Sequence, residues 1–204
     1  TAFDEQGSLW IGTVGGGLVK FDGIHWTLFN TSNSPLPNDT IFSICFDSRG
    51  DLWIATDGGG VAKFDGTKWM VFNTVNSKLP SNHSWFVKVD THDNVWIGTS
   101  DRGMAIFDGQ DWTVYDASNS DLPDNMVNFI AIDPQGTAWI ATQNGGVAVL
   151  RARPSVDFNG DGSVDIKDLL RLIESWGHDD PVLDVAPPFG DGIIDARDLD
   201  VLMT

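Results

Sequence analysis

A twelve-residue segment near the carboxyl end of the chain carries oxygen-bearing side chains at alternating positions. The segment reads DFNGDGSVDIKD and runs from Asp157 to Asp168. Calcium is a hard cation that takes about six to eight oxygen ligands, and alternate residues of a tight loop direct their oxygens inward. The spacing therefore predicts a Ca²⁺ site. Its predicted ligands are Asp157, Asn159, Asp161, Asp165 and Asp168, with Ser163 contributing its backbone carbonyl.

This segment resembles the calcium loop of EF-hand proteins. Gly162 stands at the sixth position, where a sharp turn needs glycine, and the apolar Val164 stands at the eighth. The alternative interpretation is an Asp- and Gly-rich turn that binds no ion. Because the loop gathers four Asp carboxylates, we expect residues 155–204 to fold only when a bound ion offsets their repulsion.

A second segment, GDGIIDARDLDVLM, matches the later part of the same loop. The predicted ligands at positions 5, 7, 9 and 12 are Asp191, Ile193 (through its carbonyl), Asp195 and Asp198. Pro187 and Phe189 occupy positions 1 and 3, and neither has a side-chain oxygen. This second site would recruit carbonyls, water or Asp184, or it would bind weakly or not at all.

The two segments together resemble a type I dockerin. Position 12 is Asp in both, and the first loop precedes one predicted helix, Leu169–Trp176, with Gly177 as its stop. The resemblance implies a secreted protein that docks, in calcium, to a cohesin-type or cell-surface partner, often in polysaccharide degradation. Dockerins recognise partners through loop positions 10 and 11, commonly Ser-Thr. Here these are Ile166-Lys167 and Ala196-Arg197, which argues against a standard cohesin.

Charge separates this region from the rest of the chain. The 204 residues have a net charge of −17, and residues 155–204 contribute 12 acidic against 3 basic residues, a net of −9. Such a balance argues against nucleic acid or an anionic membrane surface as the main partner. The single cysteine, Cys45, excludes an internal disulfide framework, and no apolar run approaches the ~18 residues of a membrane span.

Residues 1–150 repeat with a period of 43 residues. The strings LWIGT, LWIAT, VWIGT and AWIAT carry Trp10, Trp53, Trp96 and Trp139, each 43 residues after the last. Phe-Asp-Gly triplets and Asn/Ser/Pro-rich loops recur at the same spacing. Runs rich in Val, Ile, Phe and Trp, bounded by Gly, Asp and Asn, predict four short strands per repeat. In the second repeat these are 41–47, 52–56, 61–65 and 68–73.

Four strands in each repeat of about 43 residues are typical of a β-propeller blade. The prediction is fourteen strands, or about three and a half blades, as a fragment of a larger all-β propeller. It places the propeller at residues 1–152 and a small α-helical dockerin-like domain at residues 153–204, joined by a short linker. Because a propeller needs about four blades or more to close, we expect roughly 150 or more residues upstream of Thr1.

The repeat resembles that of two-component regulator propellers, through the pattern LWIGTxGGGLxxFDGxxWTxF…NSxLPxN. The resemblance implies a propeller of about seven blades, often the extracellular sensing part of a larger bacterial protein. The chain itself contains no recognisable kinase or DNA-binding segment.

Repeated tryptophans are expected in the core, both the first set and Trp26, Trp69 and Trp112. Positions that depart from the repeat are better ligand candidates. These are Trp85, where other repeats have Phe42 and Asn128, the pair Asp101-Arg102, and the histidines His25 and His83. Turns such as 47–50 resemble the structural Asp-box of sialidases only loosely. No Ser/His/Asp grouping, phosphate loop or matched carboxylate pair predicts a catalytic centre.

Three functions remain open at this point. The first is a secreted, non-catalytic binding protein whose propeller recognises a carbohydrate or peptide ligand and whose second domain docks in the presence of calcium. The second is a fragment of a polysaccharide-degrading enzyme, with its catalytic part upstream. The third is the sensor ectodomain of a two-component system. The first is favoured.

Overall fold

The computed structural model describes residues 1–133, 136–150 and 166–174. The chain divides into two units, Thr1–Leu150 and Arg151–Thr204. Described residues of the first unit form β-strands, and those of the second form one helix.

Fifteen strands among the described residues form four antiparallel sheets, each in chain order. The first sheet contains β1 (Ala2–Phe3), β2 (Leu9–Gly12), β3 (Leu18–Phe21) and β4 (Trp26–Phe29). The second contains β5 (Ile41–Phe46), β6 (Leu52–Thr56), β7 (Gly60–Phe64) and β8 (Trp69–Phe72). The third contains β9 (Ser84–Val89), β10 (Val95–Thr99), β11 (Met104–Phe107) and β12 (Trp112–Tyr115). The fourth contains β13 (Val127–Ile132), β14 (Ala138–Thr142) and β15 (Val147–Leu150).

The predicted strand count is wrong by one. The first sheet begins with β1, which pairs antiparallel with β2, so it has four strands and not three. Only two residues form β1, too few to show the alternation by which the other strands are recognised. The four strands of the second sheet lie within one or two residues of their predicted positions.

Packing between successive sheets forms the core. We call the interfaces between the first and second, second and third, and third and fourth sheets the first, second and third junctions. Each holds one cluster of buried apolar side chains, contributed by both sheets. A leucine from the loop joining the two sheets completes each cluster, namely Leu36, Leu79 and Leu122. Each sheet thus packs on its sequence neighbours, as propeller blades do.

The first tryptophan of each of the first three sheets is anchored by an aspartate six residues earlier. The Trp10, Trp53 and Trp96 Nε1–H groups donate to Asp4, Asp47 and Asp90 at 2.9, 3.1 and 2.9 Å. The other oxygen of each aspartate accepts backbone N–H groups of the turn between the first two strands. One carboxylate therefore closes the turn and also satisfies a buried indole, which a core tryptophan requires.

The second unit contains the helix α1, Ile166–Glu174. The predicted helix, Leu169–Trp176, overlaps it, although α1 begins three residues earlier. Trp176 and Gly177 lie outside the described residues. None of the described residues forms a helix of the length and hydrophobicity that crossing a lipid bilayer requires.

Candidate functional site

The loops that join consecutive sheets meet the turns between the second and third strands at one end of the propeller unit. In the second sheet, the Gly58 and Gly60 amides donate to the Asn82 carbonyl at 3.0 and 2.8 Å. Gly60 has a φ of +82°, and a Cβ there would collide with the carbonyl of Phe72, so only glycine fits. Both bonds recur in the first sheet, and the second of them recurs in the third. They give this end a fixed frame on which side chains can be held.

A β-bulge lies near the start of the first strand in the second, third and fourth sheets. The pairing register shifts there, which leaves Phe42, Trp85 and Asn128 as the extra residues. Bulges redirect a side chain and are frequent beside functional sites. These three positions are 43 residues apart, so each sheet presents one side chain in the same way.

Aromatic rings line this part of the surface. Phe42 and Trp85 belong to neighbouring sheets, and their ring centroids lie 6.2 Å apart in an edge-to-face arrangement. Phe42 is 46% exposed and Phe129 is 53% exposed. Phe129 contacts Phe86, with centroids 4.7 Å apart. The exposed rings offer apolar contact area that a ligand could cover.

Two polar pairs stand beside these rings. His83 Nδ1 lies 2.7 Å from Asp57 Oδ1 and joins the second and third sheets. Asn128 Nδ2 donates to Gln143 Oε1 at 2.6 Å within the fourth sheet. All four side chains are reachable from solvent. We call Phe42, Trp85, Asn128, Asp57, His83 and Gln143 the inner-rim surface.

The inner-rim surface combines apolar rings with hydrogen-bond donors and acceptors held on regular strands. Such a mixture suits non-covalent recognition, in which apolar area supplies affinity and a few placed polar groups supply orientation. Within residues 1–133, 136–150 and 166–174, no group of three or more His, Cys, Asp or Glu side chains could hold a metal ion.

The core assignment of the tryptophans is confirmed for some members and wrong for others. Trp10, Trp53 and Trp96 are buried, and Trp69 and Trp112 are half-buried against the junction clusters. Trp139 is 49% exposed and Trp26 is 63% exposed. The difference lies in their neighbours. Trp10 and Trp53 stack on Phe29 and Phe72 of the outer strands, whereas the described part of the fourth sheet has three strands. Among the described residues, Trp26 stacks on Phe21 of its own sheet alone.

The other ligand candidates predicted from the sequence lie at two opposite ends of the sheets. Trp85 and His83 belong to the inner-rim surface. Asp101 and Arg102 form an exposed pair, 3.7 Å apart, in the neighbouring turn between β10 and β11. His25 lies in the turn between β3 and β4 at the opposite end, with Nδ1 3.5 Å from the Asp22 carboxylate.

The predicted calcium ligands cannot be placed. Asp157, Asn159, Asp161, Ser163, Asp165, Asp191, Ile193, Asp195 and Asp198 lie outside the described residues, and Asp168 falls within the span of α1 without a described side chain.

The shifted pKa values of Asp4 and Cys45 in the propeller unit have structural causes. Burial opposes ionisation of Asp4, yet hydrogen bonds from Trp10, Ser8 and Lys20 outweigh it and lower its pKa to about 2. Burial raises the pKa of the Cys45 thiol to about 12, which leaves the thiol protonated and unreactive at neutral pH.

The contact between Asp57 and His83 was not predicted from the sequence. The two residues are 26 positions apart and belong to different sheets, so no local spacing connects them. Only the strand order could have indicated it. The turn after the second strand of one sheet lies at the same end as the start of the first strand of the next sheet. Phe42 was also not among the ligand candidates, although it occupies the repeat position of Trp85.

The family model for two component regulator propellers matches residues 35–58 and 121–144. These segments cover loops and strands of the second and fourth sheets. Two segments of the chain therefore match this propeller repeat. No curated protein matches the chain.

Solved structures show the same fold. The extracellular domain of a putative hybrid two component system from B. thetaiotaomicron matches with a TM-score of 0.63 and 24% identity, over 74% of this chain and 22% of that one. The extracellular domain of a putative one component system from the same organism matches with a TM-score of 0.62 and 24% identity, over 74% and 23%. Virginiamycin B lyase from Staphylococcus aureus matches at 0.55 and 13%, over 74% and 54%. The fold is therefore all-β and propeller-like, and the chain spans under a quarter of the first two structures.

Proposed function

We propose that residues 1–150 are part of an extracellular, non-catalytic propeller that recognises a ligand for a bacterial signalling system. The observation that carries this proposal is the match of the sheets to two extracellular domains of such systems, together with the regulator-propeller repeat. The sensor ectodomain thus has more support than the secreted docking protein that the sequence alone favoured.

The inner-rim surface is the proposed contact surface for the ligand. Trp85 and Phe42 would supply apolar contact, and the His83–Asp57 and Asn128–Gln143 pairs would supply hydrogen bonds. A carbohydrate or a peptide would suit this chemistry, because each presents apolar faces beside donors and acceptors.

The test is a thermal-shift screen of the full chain against defined oligosaccharides and short peptides. A ligand of the inner-rim surface raises the unfolding temperature of the native chain and of Trp26→Ala, and has little effect on Trp85→Ala. Trp26 is the matched control, because it is an exposed tryptophan on an outer strand. Equal stabilisation of both variants would contradict the assignment of the surface.

In the intact protein, the ligand found in this way should change transcription from a reporter gene of the host, and Trp85→Ala should abolish the response. Binding without any response would instead favour a docking or assembly role.

We propose secondly that residues 153–204 bind calcium and dock to a cohesin-like or cell-surface protein. The support is the DFNGDGSVDIKD segment, whose oxygen-bearing residues follow the spacing of a calcium loop. Calorimetric titration of the full chain with CaCl₂ should show one or two bound ions, and Asp157→Ala should remove one. Absence of heat at millimolar calcium would contradict the proposal. Retention of a partner in calcium and its release by EDTA would support the docking role.

A further inference from the structure

A cavity of about 310 Å³ lies at the first junction, at the end of the sheets opposite the inner-rim surface. Its walls come from the first and second sheets and from the turns that close them. The residues that matter here are Phe3, Glu5, Trp10, Lys20, Arg49 and Asp65. Its volume suits a small ligand or one long side chain.

The second junction has a bridge between turns that the first junction lacks. Asp93 has a φ of +62° and occupies the place that Gly50 fills in the preceding repeat. Its carboxylate accepts the Ser48 backbone N–H at 2.9 Å and the Ser48 hydroxyl at 2.5 Å, and so connects the second and third sheets. At the first junction, Gly50 replaces Asp93 and Glu5 replaces Ser48. Glycine provides no bridging side chain, and glutamate provides an acceptor in place of a donor.

Charges at the first junction are not balanced. Lys20 Nζ is 3.1 Å from the Asp4 carboxylate, and Arg49 Nη2 is 3.6 Å from Asp47. Both cations that line the cavity therefore already face a carboxylate. Glu5 and Asp65 line the same cavity, and no ion pair in the described part of the chain involves either of them. Neither carboxylate therefore has an ion-pair partner among the described residues, although the charge of Lys68 also helps to lower the pKa of Asp65.

Asp65 is held in its charged form. Hydrogen bonds from the Lys68 backbone N–H and from Thr67 lower its pKa to about 2. These bonds all reach Oδ1, at 2.7 to 2.8 Å. Oδ2 accepts no hydrogen bond from any described residue, so it remains able to accept one from a ligand.

The side chain of Lys20 already places one ammonium group in this cavity. Lys20 Nζ lies 4.9 Å from the Trp10 ring centroid while it contacts Asp4. An aromatic face beside a carboxylate is a favourable environment for an alkylammonium ion. Phe3, which is 69% exposed, and Glu5 offer the same two components at the mouth of the cavity.

We propose that this cavity binds a primary ammonium group carried on an alkyl chain. The ammonium would lie at Glu5 and Asp65, and the chain would cover the exposed ring of Phe3. A free diamine and the side chain of a lysine in a polypeptide share this chemistry. The site is separate from the inner-rim surface, so it does not depend on the function proposed above.

The test is a two-dimensional NMR titration of the full chain with cadaverine, and separately with Nα-acetyl-lysine amide. The signals followed are the Trp10 indole N–H and the Gly50 amide. Saturable shifts with either amine support the site. A response to cadaverine alone identifies a free amine as the ligand, and a response to the lysine derivative alone identifies a polypeptide lysine. No saturable shift with either amine, or an equal shift with the neutral pentanediol, would overturn the proposal.

Variants test the residues assigned to the site. Glu5→Gln should weaken amine binding about tenfold, because it removes a charge-assisted hydrogen bond. The double variant Glu5→Ser/Gly50→Asp copies the residues of the second junction and should abolish binding. Asp121→Asn removes one exposed acidic charge elsewhere and should bind as the native chain does. The remaining NMR signals report whether each variant is folded. Unchanged binding by folded Glu5→Gln, or equal weakening by Asp121→Asn, would contradict the assignment.

Discussion

The first and second junctions share the same core contacts and differ in whether a side chain connects their turns. Both contain a buried tryptophan, stacked on an outer-strand phenylalanine and bonded to an aspartate. Both place a lysine over that tryptophan, at 4.9 and 5.2 Å from the ring centroid. At the second junction Asp93 bridges to Ser48, whereas at the first Gly50 and Glu5 leave a cavity. The repeat thus conserves the core of each blade and leaves the turns free to diverge.

The largest effects on stability should come from the buried tryptophans that the two junctions share. Trp10→Ala and Trp53→Ala each remove a large buried ring and should lower the free energy of unfolding by about 3–5 kcal/mol. Because the two rings have equivalent partners, the two losses should agree within about 1 kcal/mol. Chemical denaturation of the full chain, followed by circular dichroism, measures both.

Trp26→Ala is the control for these two variants, since its ring is mostly exposed. A loss in Trp26→Ala as large as that in Trp53→Ala would show that burial does not determine the contribution of these tryptophans.

The first and second junctions also differ in the residues at which their sheets approach each other closely. At the first junction a Cβ on Gly12 would collide with Cγ2 of Ile41. The corresponding residues at the second junction are Ala55 and Ser84, so a larger residue on one side accompanies a smaller one on the other. Gly12→Ala should therefore destabilise the chain by about 1–3 kcal/mol through overpacking.

Ile41→Ser should recover part of this loss when it is combined with Gly12→Ala, because the pair then matches the second junction. The double-mutant cycle is measured by denaturation. Additive losses would contradict the compensation. Ser84 itself is fully buried, and its hydroxyl has no hydrogen-bond partner in the described part of the chain.

The contact between Asp93 and Ser48 should have a smaller effect. Both Asp93→Ala and Asp93→Gly lose the two hydrogen bonds to Ser48. The left-handed backbone at this position is unfavourable for alanine and favourable for glycine. The unfolding temperature should therefore fall in the order native, Asp93→Gly, Asp93→Ala. Differential scanning calorimetry measures it, and a higher value for Asp93→Ala than for Asp93→Gly would contradict the backbone argument.

The smallest effect is the pH dependence of that contact. Hydrogen bonds from the Ser48 hydroxyl and backbone lower the pKa of Asp93 below its ordinary value of 3.8. A carboxyl whose pKa is lower in the folded state stabilises the protein above the ordinary value, and this contribution is lost as the pH falls through the folded-state value. The difference in unfolding temperature between the native chain and Asp93→Ala should be constant above about pH 5 and should shrink below pH 3.8. A difference that grows on acidification would contradict it.

The periodic features of this fold could be predicted from sequence, and features that depend on neighbouring sheets could not. The 43-residue period located the blades, because each strand has its own apolar alternation and its own turn residues. The exposure of Trp26 and Trp139 could not be predicted, since it depends on which neighbouring strand covers each ring. The His83–Asp57 pair depends on the rotation between two sheets. The bridge at the second junction did leave a signal, because Asp93 stands where the other repeats have Gly7, Gly50 and Gly136.

The most direct test of the difference between the junctions is amide hydrogen exchange of the full chain, measured by NMR. The Ser48 N–H donates to Asp93, while the Glu5 N–H, at the equivalent position, has no acceptor among the described residues. Exchange at Ser48 should therefore be slower than exchange at Glu5, after correction for intrinsic rates, and Asp93→Ala should remove the difference. Equal protection of the two amides in the native chain would show that the junctions do not differ in this way.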